Sequence, residues 1–221
     1  LKRPRPYQDP KPVAANIDTI FITLSPQPEP ISTLIDRFLI AAENAGIDAC
    51  LLLNKQDLMG QNPAVTDEIN ELLALYTQLG YPVFRYSAEA HTENNIEENS
   101  SRNNNNANND DAETQRFITA LANKTSILVG QSGVGKSSII NKLTGNNSAK
   151  IGDISSANDK GRHTTTTSQL YQLANADSSI ATGIIDSPGI REFGLWHLSP
   201  DDIISGLPEF QQHTQHCQFR D

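Results

Sequence analysis

Cysteine, basic charge and long apolar runs are all scarce in this sequence. Only two cysteines occur, Cys50 and Cys217. Two thiols imply no disulfide framework, which suits a reducing cytosol. Cys50 sits in the apolar run 49–53 and reads as a buried strand residue. No apolar stretch approaches the roughly 20 residues that cross a bilayer, and no signal peptide is visible. The expected location is cytoplasmic, with no membrane partner. Lys and Arg total 17 against 26 Asp and Glu, a net charge of −9. That balance excludes a broad electrostatic footprint for nucleic acid on this chain alone. The first twelve residues are the exception, with Lys2, Arg3, Arg5 and Lys11 against Asp9. The 221 residues suffice for one substantial domain and pieces of its neighbours. Starting without Met and stopping abruptly at Asp221, the chain reads as a fragment.

What is present is an alternation of strand-like and helix-like segments. Residues 1–16 are basic and Pro-rich without periodicity, and read as a linker. Residues 17–24 form a β-branched strand. Residues 31–45 carry apolar side chains at helical spacing, from Ile31 through Leu34, Ile35 and Phe38 to Ala42. A strand over 48–54, a helix over 64–79 and a strand over 83–86 follow. The Asn-rich stretch 92–111 has almost no apolar residues, cannot offset its ordering entropy, and is expected to be disordered. A helix over 112–123, a strand over 125–129 and a helix over 136–143 come next. Residues 148–167 read as a mobile switch, and 168–173 with 180–185 as a strand pair. The expected fold class is α/β: three layers, a mostly parallel sheet with helices on both faces.

Residues 130–137 read Gly-Gln-Ser-Gly-Val-Gly-Lys-Ser, the phosphate-binding pattern G-x-x-x-x-G-K-[ST]. Its strand-before, helix-after context is met. Gly130, Gly133 and Gly135 let backbone N–H groups close on phosphate oxygens. Gln131, Ser132, Val134 and Ser138 complete the cradle. Lys136 should reach the β- and γ-phosphates and Ser137 should ligate Mg²⁺. Residues 54–57 read Asn-Lys-Gln-Asp, the guanine-reading pattern N-K-x-D. The Asp57 carboxylate can accept from guanine N1–H and the 2-amino group, and adenine offers neither donor. Lys55 braces the phosphate loop. Ser87 and Ala88 fit the loop that closes over the base.

Asp186-Ser187-Pro188-Gly189 fits D-x-x-G after an apolar strand. Asp186 should hold the Mg²⁺ shell, and Gly189 N–H should meet the γ-phosphate. One of Thr164 to Thr167 should serve as switch threonine and metal ligand. Thr165 is narrowly favoured, and a solvated threonine loop is the plain alternative. Ile190 stands where Ras-like GTPases carry the glutamine that orients water. His163 is the obvious substitute, against the plainer reading of an exposed loop histidine.

The guanine reader precedes the phosphate loop, the reverse of ordinary GTPase order. Reading from Gly130 to the end and then from the start to Ala88 restores that order. All five elements fit one cyclic order, so the chain reads as a circularly permuted G domain over 17–198.

With Gly-Arg-His-Thr-Thr-Thr at 161–166 and segments 14–18, 54–58, 130–138 and 186–193, the chain closely resembles the small ribosomal subunit biogenesis GTPases of bacteria. The resemblance spans nearly the whole chain outside the Asn-rich stretch. It implies an N-terminal OB barrel, a permuted G domain and a C-terminal zinc domain beginning near 199–221. It also implies GTP hydrolysis stimulated by the small subunit in its late maturation, with rRNA as partner through the missing domains. The histidine matching His163 is implicated in hydrolysis, and Cys217 matches the first of four zinc ligands. A monomer is expected. The D-x-x-G segment then leads out through Glu192, Phe193 and Trp196 toward the C-terminal domain, a route for nucleotide state. Two competitors stay open: a nucleotide-gated scaffold with negligible turnover, which Ile190 favours, and an ATP-using enzyme, which Asn54, Lys55 and Asp57 oppose.

Overall fold

The computed structural model describes residues 2–5, 8–12, 14–88, 104–145, 168–173, 182–187, 195 and 197–210. Two short strands open the chain, β1 (Lys2–Arg5) and β2 (Gln8–Pro12), paired antiparallel with an irregularity between Arg3 and Arg5. The sequence reads this stretch as a linker entering the domain; pairing of its two halves gives it local order that the absence of periodicity did not announce. Proline is tolerated in a two-stranded ribbon, where each strand has a free edge and needs no donor on it.

Six strands form the main sheet: β3 (Thr19–Leu24), β4 (Asp48–Leu53), β5 (Val83–Arg85), β6 (Thr125–Val129), β7 (Gln169–Leu173) and β8 (Thr182–Asp186). Their order is β5-β4-β3-β6-β8-β7. All neighbours run parallel except β7 against β8. Strand β3 therefore lies in the middle of the sheet although it comes early in the chain. It pairs Thr19–Leu24 with Asp48–Leu53 on one side, and Thr19–Ile22 with Ser126–Val129 on the other.

The two-residue alternation of the strands explains the three layers. Ile20, Ile22, Leu24, Leu51, Leu53, Ile127 and Val129 point to one face. They pack there against Leu34, Phe38 and Leu39 of α1 (Ser32–Asn44) and Ile69, Leu73 and Tyr76 of α2 (Pro63–Gln78). Phe21, Cys50, Leu52, Leu128 and Ile184 point to the other. They meet Phe117 and Leu121 of α3 (Asn104–Leu121) and Ile139 and Ile140 of α4 (Lys136–Thr144). Both faces are buried, so the strands read as near-continuous apolar runs. The last helix, α5 (Pro200–Ser205), starts on a reciprocal Ser199–Asp202 capping box with Pro200 in its first turn. It rests on α1, where Asn44 Nδ2 donates to the carbonyls of Ile40 and Asp202.

The expected disorder of 92–111 is corrected in part. Helix α3 begins at Asn104, and residues 92–103 lie outside the described residues. Asparagine is a poor helix former, so local preference argues against this turn of helix. The helix is anchored from its other end and propagates backward from a packed nucleus. That nucleus is Phe117, fully buried, with ring centroids 5.3 Å from Phe21 and 5.4 Å from Tyr86. The Arg116 guanidinium lies 5.0 Å above the Phe84 ring. Phe117→Ala should cost about 3–5 kcal/mol in urea unfolding. A cost below about 1 kcal/mol would mean that α3 is not held this way.

Candidate functional site

Every parallel strand of the main sheet delivers a loop to the same edge. Segment 25–30 follows β3, 54–58 follows β4, 86–88 follows β5, 130–135 follows β6, and Ser187 follows β8. In open α/β sheets ligands bind at the carboxyl ends of the strands, where crossovers to opposite faces part. Here α1 leaves β3 for one face while α4 leaves β6 for the other.

The loop after β6 is built by close approach. Gly130 has φ +140°, and a Cβ there would run into the carbonyl of Thr23. Gly135 has φ +93°, and its Cβ would strike the Asn54 carboxamide. Neither position admits another residue without displacement of backbone or of a buried side chain. Val134 is fully buried and pins the loop, while Ser132 and Gly133 stay exposed. Helix α4 starts directly after Gly135, so its free N–H groups face the loop opening, an arrangement suited to anions. Lys136 is 6% exposed, and its ammonium donates to the carbonyls of Gly130 (3.1 Å) and Gln131 (2.9 Å). Burial pulls its pKa down to about 8, partly opposed by the Asp186 carboxylate. A bound polyanion would reverse that shift.

The loops after β4 and β5 interlock with the first. Asn54 is 1% exposed. Its Nδ2 donates to the Val134 carbonyl (2.9 Å), and its Oδ1 accepts from the Ala88 N–H (3.3 Å). Lys55 adopts left-handed φ 56° and ψ 42°. Its ammonium bridges the carbonyls of Gly133 (2.7 Å) and Gln27 (2.9 Å). Those two bonds offset the roughly 1–2 kcal/mol that a left-handed side-chain-bearing residue costs. Ser87 Oγ donates to Asp57 Oδ1 (2.6 Å) and accepts from the Asp57 N–H (3.2 Å). The carboxylate is thus aimed, yet exposed to an incoming ligand.

Ser137 Oγ donates to Asp186 Oδ2 (2.8 Å), which joins the head of α4 to the end of β8. Asp186 is 3% exposed. A hydroxyl and a carboxylate in contact are hard oxygen donors, and they fit a magnesium ion that keeps much of its water shell. Ser187 Oγ donates to the Leu128 carbonyl and locks the chain as it leaves β8. Ser138 is exposed on the first turn of α4. His163, Thr164 to Thr167, Gly189, Ile190 and Cys217 lie outside the described residues.

One contributor is missed by motif reading, the segment after β3. The Gln27 carbonyl accepts from both Ser25 Oγ (2.8 Å) and Lys55 Nζ, and Pro28 lies beside Gly133. Its sole signal in the sequence is proline at 26, 28 and 30, which enforces a non-helical turn.

A family model described as RsgA GTPase matches residues 1–107 and 91–196. The small ribosomal subunit biogenesis GTPase RsgA of Hahella chejuensis is 42% identical over 220 residues, covering 100% of this chain and 56% of that protein. The chain thus spans about half the length of the curated relatives it matches. A crystal structure of YjeQ from Thermotoga maritima aligns with TM-score 0.61 at 24% identity, over 88% of this chain and 56% of that one. The structure titled YloQ, a circularly permuted GTPase, aligns at 0.60 and 21% identity, over 96% and 57%. Both share the fold.

Asn54 joins three of the loops, and its removal leaves two buried groups without partners. Asn54→Ala should lower unfolding free energy by about 1–3 kcal/mol, read from denaturant midpoints. An unchanged midpoint would show that the loops hold together without it.

Proposed function

Because this chain belongs to the RsgA GTPase family, we propose that it binds GTP and hydrolyses it, and that the protein containing it acts in maturation of the small ribosomal subunit. The observation that carries the reading is the Asn54 bridge, which sets a guanine-type carboxylate and a phosphate-type loop at one edge of the sheet. The printed name of the curated relatives supports the ribosomal part.

Asp57 accepts from the two N–H groups of the guanine edge while Ser87 holds it in place. Ala88 closes over the base, and Lys55 lays its stem along the base plane. Residues 130–135 wrap the phosphates with backbone N–H groups. Lys136 turns from its two carbonyls to the β- and γ-phosphates and stays protonated there. Ser137 and Asp186 hold magnesium, which when bound supplies neutralising charge to the phosphates. Thr165 and Gly189 are the proposed γ-phosphate sensors, and His163 the group that places the attacking water. A small subunit and its rRNA are the partners, the rRNA bound mainly by segments outside 17–198. The protein acts as a cytoplasmic monomer. Residues 1–16 serve as entry to the G domain and 199–221 as the start of a zinc domain, with Cys217 its first ligand.

Asp57→Asn exchanges an acceptor for a donor. GTP affinity should fall by about 10- to 150-fold, the equivalent of roughly 1.5–3 kcal/mol for a charged hydrogen bond. XTP, which presents a carbonyl where guanine has its amine, should gain. Equal GTP binding by both proteins would remove Asp57 from base recognition. The function itself is tested by GTP turnover of the longer protein, with and without small subunits. Stimulation that drops about 100-fold or more in His163→Ala is expected, the scale of one positioned proton-handling group. Absence of stimulation would favour a nucleotide-gated scaffold, and stimulation surviving the substitution would move the catalytic role elsewhere.

A further inference from the structure

The segment between β3 and α1 reaches the nucleotide edge of the sheet without a motif to mark it. It reads Ser25-Pro26-Gln27-Pro28-Glu29-Pro30. Proline has no N–H, so Ser25, Gln27 and Glu29 carry its only backbone donors. A turn closed by a bond from residue 30 to the Gln27 carbonyl is therefore impossible, and so is one from residue 28 to the Ser25 carbonyl. A side chain does this work instead. Ser25 is fully buried, and its hydroxyl donates to the Gln27 carbonyl at 2.8 Å, while Gln27 itself lies exposed.

The same carbonyl accepts from the Lys55 ammonium at 2.9 Å, and the Gly133 carbonyl accepts from it at 2.7 Å. One acceptor belongs to the loop after β3 and the other to the loop after β6. A lysine stem is flexible, and ordering it costs side-chain entropy. One acceptor leaves the ammonium free to swing, whereas two fixed acceptors define its place. Pro28 keeps the two loops together, its Cδ lying 3.6 Å from where a Gly133 Cβ would stand.

We propose that Ser25 is a positioning residue for guanine nucleotide binding. Through the Gln27 carbonyl it fixes the Lys55 ammonium across the phosphate-type loop, so that the lysine stem is in place as a wall for the base before nucleotide arrives. The inference rests on the guanine-nucleotide reading of this site. Ser25 is fully buried and does not meet the ligand itself, so its effect passes through Lys55. Preorganisation of this kind lowers the ordering cost of binding, and its loss appears in the dissociation rate. Removing the hydroxyl strands no buried group, because the Gln27 carbonyl keeps the Lys55 ammonium. Ser25→Ala therefore folds.

The test measures release of N-methylanthraniloyl-GDP, a fluorescent probe, from the longer protein that contains this chain. Wild type, Ser25→Ala, Lys55→Met and the double variant form a double-mutant cycle; methionine keeps an unbranched apolar stem and removes the charge. Ser25→Ala should speed release about 3- to 10-fold, the scale of one lost hydrogen bond. In the Lys55→Met background the same substitution should leave release unchanged. A serine that merely supports the fold would act alike in both backgrounds, so the same fold-change in each overturns the proposal. An unchanged rate in Ser25→Ala overturns it as well. Urea midpoints accompany every variant. If Ser25→Ala does not fold, Ser25→Cys, similar in shape with a weaker donor, completes the same cycle. Excess GDP, and not ADP, should displace the probe from wild type. Equal displacement by ADP would remove the guanine reading and this inference with it, whereas GDP-selective displacement with an additive cycle would remove the inference alone.

Discussion

The Asn54 carboxamide is the constraint on which the site depends. Strands β4 and β6 are not neighbours, because β3 runs between them. A side chain at the end of β4 must therefore reach across the β3 terminus to touch the loop after β6. Asn54 does so, ending 2.9 Å from the Val134 carbonyl, and it passes directly over Gly135 on the way. The glycine at 135 is thus required by Asn54, a residue far earlier in the chain. Lys55 adds a second tie across the same gap, and holds a left-handed backbone to do it. Buried polar atoms satisfied in this way define one relative placement of the loops, since every shift leaves a group unpaired.

None of these contacts depends on the order in which the loops are made. They are sheet-edge contacts, and the sheet is defined by neighbours rather than by chain direction. A permuted chain satisfies them provided one connection joins β5 to β6. Helix α3 makes that connection, and Phe117 fastens it among the rings of Phe21, Phe84 and Tyr86. Lengthening a loop costs little more free energy with each added residue, so this connection can carry the Asn-rich stretch. At the other end, Asn44 ties α5 to α1, so the chain beyond β8 returns to the helix that starts next to the loop after β3.

Charge follows the same economy of placement. The chain is acidic overall, yet the most deeply buried cation among the described residues, Lys136, sits where an anion is expected, with its pKa lowered to about 8 by burial. Asp186 is 3% exposed and contacts Ser137. The site therefore holds two desolvated charges of opposite sign, the Lys136 ammonium on the carbonyls of Gly130 and Gln131 and the Asp186 carboxylate on the Ser137 hydroxyl.

Residue types and their spacing sufficed for the class of fold and for naming the loops that the described residues bring to one sheet edge. Short β-branched or apolar runs marked β3, β4, β6 and β8 as strands, and helical spacing marked α1 and α2 to within a residue or two. The loops 54–57, 87–88, 130–137 and 186–189 were legible because each needs particular atoms: a backbone free of Cβ, a carboxylate, an ammonium. What the sequence did not carry lay in partners distant along the chain. Asparagines at 104–109 favour no helix, and only Phe117 packing on the sheet extends α3 over them. Prolines at 4, 10 and 12 read as linker, and only strand pairing makes them a ribbon. The Gln27 carbonyl entered the site through Lys55, a backbone atom that no side-chain pattern announces. Local chemistry can be read from residue types because it resides in single side chains, whereas long-range contact depends on which surfaces the sheet brings together.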